Sequence, residues 1–186
     1  MRHIVIALVA LGCASAPPPP PPAPPAPPPE PSAPTGLPAG YVEMKPERVV
    51  ALQDQGALLL VDAASNTVLP IFIGGTEAAS IDSRMSGTPP IRPLTHDLLD
   101  HVMARLHATL VQVQVDELRG ETFIGSIYVR ANGVVFKLDS RPSDAIALAI
   151  GNRVPIYVAK AVLAAAGQPW DQVQQQLGPQ PGTTSM

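Results

Sequence analysis

Val111, Val113 and Val115 alternate with Gln112, Gln114 and Asp116, the period of a strand with one face buried. Thr122 to Arg130 forms a second β-rich run, and in Gly133 to Asp139 the residues Val134, Phe136 and Leu138 alternate with Val135, Lys137 and Asp139. Arg119-Gly120 and Ala131-Asn132-Gly133 separate these runs, and Asn-Gly is a strong short-range hairpin signal. The pattern therefore predicts an antiparallel meander over 111–139. Upstream, Val49 to Leu52, Ala57 to Asp62 and Thr67 to Ile73 read as strands, with turn signals at Gln53-Asp54-Gln55-Gly56 and Ser65-Asn66. Pro70 cannot donate to a ladder, so its strand belongs at an edge or carries a bulge. Pro155-Ile156-Tyr157-Val158 is a further short strand.

Helical spacing fills the intervals. Thr76 can cap a helix over Glu77 to Arg84 that buries Ala78, Ile81 and Met85. Thr95 is a good cap for a helix reaching about Thr109, with Leu98, Leu99, Val102, Met103, Leu106 and Leu110 as its apolar stripe. The opposite face carries His96, Asp97, Asp100, His101 and His107. Ile146, Ala149 and Ile150 mark a helix from Pro142 or Ser143, and Lys160 to Ala166 and Trp170 to Leu177 are also helical. Trp170, Val173 and Leu177 share a face that suits packing. Together these elements predict a compact single α+β domain, its mixed, largely antiparallel sheet packed by helices.

Composition changes the picture mainly at the ends. Many of the 24 prolines crowd Pro17 to Pro38, a polyproline II spacer rather than a core. Before it, Arg2 precedes Ile4 to Leu11, a short apolar stretch of signal-peptide type. Ala10-Leu11-Gly12-Cys13 resembles a bacterial lipoprotein box, with Ala10 where that motif usually has Leu. Ala14-Ser15-Ala16 is a rival cleavage site, but Pro17 after it disfavours cutting. An uncleaved hydrophobic start of a cytoplasmic protein is the third alternative. The preferred division is a signal peptide over 1–12, lipidated Cys13 with a Pro-rich linker over 13–39, a domain over 40–178 and a disordered tail over 179–186. That division predicts a membrane-anchored lipoprotein of the bacterial cell envelope. Cys13 is the single cysteine, which excludes an intrachain disulfide and a cysteine-based metal cluster. A net charge of -3 excludes a general basic field for nucleic acid, so any phosphate site is local.

The densest chemistry lies at Asp139-Ser140-Arg141-Pro142-Ser143-Asp144, where a strand becomes a helix. Pro142 suits the first helical position, and Asp144 falls in the first turn, where the helix dipole favours a carboxylate. With Asp139 at the strand end facing it, the corner is a candidate anion site. It is equally a cap by Ser143 or Asp144 and a corner ion pair from Arg141 to Asp139 or Asp144. His96 with Asp100, and Asp97 with His101, are four apart, a spacing that can hold a metal or a proton relay and is also frequent on ordinary solvated helices.

Leu69-Pro70-Ile71-Phe72-Ile73-Gly74, Glu77-Ala78, Arg92-Pro93-Leu94-Thr95-His96-Asp97-Leu98, Asp139 to Ala149 and Pro155 to Val158 occur together and in order. With these blocks the chain resembles the bifunctional nuclease domain family over about Tyr41 to Gly167. Phe72 stands where that family usually has Trp, and Ser140 where it usually has Ala. The resemblance implies an α+β fold, self-association into a homo-oligomer, and DNase or RNase activity with nucleic acid as substrate. Phosphodiester hydrolysis needs a nucleophilic water, neutralisation of phosphate charge and a protonated leaving oxygen. The candidates are Glu77, Asp97, Asp139 and Asp144 as carboxylates, which could bind a divalent metal such as magnesium, His96 as acid or base, and Arg141 as phosphate ligand. The competing expectation is a non-enzymatic envelope module that keeps the fold to bind a partner or assemble with itself.

Overall fold

The computed structural model describes residues 36–52 and 55–177. The signal-like segment, Cys13, most of the proline-rich run, the Gln53-Asp54 part of the first turn and the C-terminal tail lie outside the described residues. Strands β1 (Tyr41–Leu52), β2 (Gln55–Asp62) and β3 (Thr67–Gly74) lead to helices α1 (Gly75–Ser86) and α2 (Thr95–Arg105). Then come β4 (Thr109–Arg119), β5 (Thr122–Ala131), β6 (Val134–Ser140), α3 (Pro142–Asn152), β7 (Ile156–Ala159), α4 (Lys160–Ala166), the two-residue β8 (Gln168–Pro169) and α5 (Trp170–Leu177).

All the strands join one sheet in the order β6-β5-β4-β7-β1-β2-β3-β8. The meander β4-β5-β6 is antiparallel, as the alternation predicts, and its second turn places Asn132 and Gly133 at φ values of 50 and 81°, the left-handed pair that a tight hairpin needs. Strand β7 runs parallel to β4 and antiparallel to β1, which joins the two halves and makes the sheet mixed. Pro70 is tolerated because β3 is bordered outside only by β8, which pairs with it at Thr67 and Val68.

Helix α3 lies against the middle of the core. Ala145, Ile146, Ala147, Leu148 and Ala149 are all buried, and so nearly continuous an apolar surface suits a helix enclosed on several sides. Its small alanines suit a close approach to the sheet, whose Val113, Val115 and Ile127 share one buried core with Ile146 and Leu148. Each fully buried aliphatic side chain of this kind contributes roughly 1.5–3 kcal/mol. On the other sheet face, Trp170, Val173 and Leu177 of α5 cover Leu59, Val61 and Val68, the packing role their spacing suggests.

Several local expectations change. Helix α1 starts at Gly75 with Gly74 as its cap residue, so Thr76 lies inside it and does not cap. Helix α2 begins at Thr95 itself and stops at Arg105, because His107 at φ 55° turns the chain into β4. At its start, Asp97 Oδ2 accepts the backbone N–H of Leu94 at 2.9 Å. The cap residue of α3 is Arg141, with no side-chain cap from Ser143 or Asp144. The largest reversal is the orientation of α2. Met103 is buried, but Leu98, Leu99, Val102 and Leu106 are exposed, and Leu110 is buried as part of β4. The face carrying His96, Asp97 and Asp100 turns inward instead, because Arg84 of α1 offers a nearly buried guanidinium to both carboxylates, at 2.7 Å to Asp97 and 2.9 Å to Asp100.

Candidate functional site

The first turns of α1, α2 and α3 bring Glu77, His96 and Asp144 around Arg141. Pro142 at the helix start and the extended backbone of Arg141 follow from proline sterics, and they place Arg141 just outside the first turn. From there its guanidinium reaches back to Asp144 in a two-pronged contact. Nε donates to Oδ2 at 2.7 Å and Nη2 to Oδ1 at 2.9 Å. Nη2 also donates to Glu77 Oε1 at 2.8 Å. Among the described residues Nη1 has no protein acceptor, and the Arg141 side chain is 66% exposed. One edge of the fork is thus fixed by two carboxylates while the other is open to a ligand.

His96 lies behind Asp144, its Nε2 at 3.2 Å from Asp144 Oδ1 and its Nδ1 at 2.9 Å from Ser80 Oγ. An ionised carboxylate can only accept, so Nε2 carries the proton and, in the neutral ring, Nδ1 accepts from the Ser80 hydroxyl. Burial pushes the Asp144 carboxyl up, but hydrogen bonds and charge from Arg141 and His96 outweigh it and hold the group below the ordinary carboxylate range. Hydrogen bonds from Arg141 to Asp144 and Glu77 stabilise the guanidinium as a cation. Ser80, His96 and Asp144 make a serine–histidine–aspartate array, yet Ser80 is buried at 2% exposure. It cannot meet a substrate, and its hydroxyl orients the ring.

The other candidates stand apart. Asp97 is occupied by Arg84 and by the Leu94 N–H, so it organises α2 rather than the Arg141 cluster. Asp139 pairs in register with Ser126. Paired side chains share a sheet face, and this one is opposite the face on which Ile127 meets α3. The strand-to-helix corner therefore sends Asp139 away from Asp144. His101 is exposed, and Asp100 bonds Arg84 and Asn152, so the four-residue spacings on α2 build no His–Asp pair.

Ser80 and Arg84 were not singled out by pattern, although Glu77, Ser80 and Arg84 share one face of α1 at i, i+3 and i+7. Among the described residues no three His, Cys, Asp or Glu side chains gather into a set able to hold a metal ion. Glu77 and Asp144 are spanned by Arg141 instead, so the donors present do not fit a resident divalent ion. A wider cavity of about 510 Å³ lined by Arg84, Asp97, His101 and several prolines lies elsewhere. Its guanidinium is already paired with Asp97 and Asp100, which makes it a poor anion seat.

Comparison with known proteins adds a family. The model of the bifunctional nuclease domain matches residues 58–171. Uncharacterized proteins from two strains of Mycobacterium tuberculosis are 42% identical over 128 residues, covering 69% of this chain and 76% of theirs. The matched region contains all of α1, α2 and α3, and with them every residue of the Arg141 cluster.

Proposed function

The chain belongs to the bifunctional nuclease domain family, and from that premise we propose that it hydrolyses phosphodiester bonds of RNA or DNA at the Arg141 cluster. The observation that carries this reading is the half-occupied guanidinium. Glu77 and Asp144 hold Nε and Nη2, leaving Nη1, on a side chain that is 66% exposed, as a prepositioned phosphate donor. Prepositioning matters because a donor that need not reorganise stabilises developing charge most effectively.

With a phosphate on Nη1, Asp144 and Glu77 are the carboxylates that flank the guanidinium, and the base is assigned to Asp144. The water oxygen bonds to phosphorus as its proton passes to Asp144, and the P–O bond to the leaving group breaks. Asp144 then returns the proton to the leaving oxygen, giving a phosphomonoester and an alcohol. His96 steadies Asp144 through Nε2, and Ser80 fixes the ring from behind. No step requires a resident metal. In the same reading Cys13 is acylated and holds the domain at the cell envelope, and the apolar face of α2 is available for self-association. A non-enzymatic corner staple is the second reading, favoured by the pairing of both carboxylates with Arg141.

The test is cleavage of labelled RNA and DNA by the purified chain and its Arg141→Gln variant, with and without chelator. The hydrolytic reading expects cleavage that persists in chelator and falls on the order of 100-fold or more in the variant. Loss of a mainly exposed ion pair changes stability by only about 0–1 kcal/mol. An inactive parent, or a variant that unfolds instead of losing turnover, would support the staple.

A further inference from the structure

Phe72 near the end of β3 is 64% exposed, whereas Ile71 and Ile73 on either side are buried. Hydrolysis of a phosphodiester gives no reason to hold a large aromatic ring in water at that point. Phe72 lines a cavity of about 280 Å³ together with Phe123, Arg141 and Glu121. Strands β3 and β5 are far apart in the sheet order, yet the cavity brings the end of one to the start of the other, directly beside the strand-to-helix corner. The cluster that offers Nη1 to a phosphate therefore has an aromatic wall next to it.

We propose that Phe72 and Phe123 form a seat on which an unpaired base stacks while the adjoining phosphate is held by Arg141, so that the substrate is single-stranded nucleic acid. This deepens the nuclease reading and rests on it for the phosphate position. An aromatic ring stacks on any base, because every base has a π-face, and does so without reading sequence. In a duplex those faces are covered by neighbouring bases, and a cavity of this size, lined by exposed Phe72 and by Phe123 at the edge of the core, admits a splayed base rather than a helix. Glu121 on the rim repels phosphate but can accept an N–H from a base amino group. Its charge thus favours the base in the cavity and the backbone toward Arg141.

The test uses the full chain and a fluorescently labelled, phosphorothioate-linked oligonucleotide, presented as a single strand or annealed to its complement, with affinity read by anisotropy. Phe72→Ala removes an exposed side chain and leaves the core intact. It should weaken single-strand binding roughly 5- to 150-fold while leaving duplex binding unchanged, and Phe72→Trp should restore or exceed the parent affinity. Equal losses for both forms, a tryptophan variant as weak as the alanine one, or conversion of an oligomer to a monomer by Phe72→Ala would each overturn the stacking seat. Cleavage assays separate the two levels. Parent cleavage without any effect of Phe72→Ala on strand preference sinks the seat alone. Phe72-dependent single-strand binding without cleavage sustains the seat and sinks hydrolysis, and a parent that binds no polynucleotide overturns both.

Discussion

Asp144 is held ionised in the folded chain by Arg141 and His96, against the upward push of burial. A carboxyl whose folded pKa lies below its unfolded value stabilises the fold fully above that unfolded value and loses this contribution as pH falls through the folded one. Urea denaturation of the parent and Asp144→Asn should therefore show a stability difference that is constant above the ordinary value of 3.8 and shrinks progressively beneath it. At this scale the sequence was partly legible. Arg141 and Asp144 are three apart across a proline-initiated helix start, so their pairing follows from local geometry. Asp139 lies on the other sheet face for an equally local reason, since in a strand that feeds directly into a helix, alternation decides the face before the corner is reached. Ser80 offered no sign of its role, because a buried serine becomes recognisable only when its long-range partner, here His96, is known.

At the scale of elements, strands and helices were legible wherever a single period dominated, as in the meander and α3. Helix α2 was not, because its amphipathic pattern named two faces without saying which one a neighbour would want. Arg84 supplied the answer from α1. Gly151 at the end of α3 makes room for it, since a Cβ there would collide with the Arg84 guanidinium. Gly151→Ala should shift the Arg84 tip away from Asp97 and Asp100 and destabilise the chain by about 1 kcal/mol, the order of one hydrogen bond, since neither partner is removed and both carboxylates keep access to water. A melting temperature equal to that of the parent would show that Arg84 can re-route without loss. The other sheet face carries a second polar arrangement that the Gln-rich alternation only hinted at. Asp116 accepts from Tyr41 and Ser126, each at 2.7 Å, with Lys137 at 3.3 Å. Burial, reinforced by Asp116, pushes the Tyr41 hydroxyl up and keeps it a donor.

For the whole molecule, the family match over residues 58–171 includes the catalytic candidates but excludes the proline-rich approach. In the proposed anchoring, the position of the domain in the cell depends on that separate part of the chain. Acyl chains contribute membrane affinity of about 0.8 kcal/mol per buried CH₂. Detergent phase partitioning should place the acylated chain in the detergent phase and shift Cys13→Ser to the aqueous phase or leave it unprocessed. Unchanged partitioning would remove the anchor. The α+β class was legible from the succession of periods, whereas the strand order was not. Placing β7 between β4 and β1 depends on long-range pairing that no local pattern encodes.

The reversed seating of α2 also divides the Arg141 cluster by persistence. Glu77, Arg141 and Asp144 belong to α1 and the start of α3, both tied into the main core, whereas His96 rides on a helix whose only buried residues are His96 itself and Met103, of which Met103 alone joins that core. A helix fastened chiefly by polar contacts opens at a lower free energy than the sheet beneath it. Each such opening lifts the imidazole off Asp144 and leaves the Arg141 fork assembled. In the proposed hydrolysis, a phosphate held by Arg141 would then stay in place while Asp144 loses and regains the imidazole that steadies it, so that occupancy and turnover would be governed by different parts of the fold.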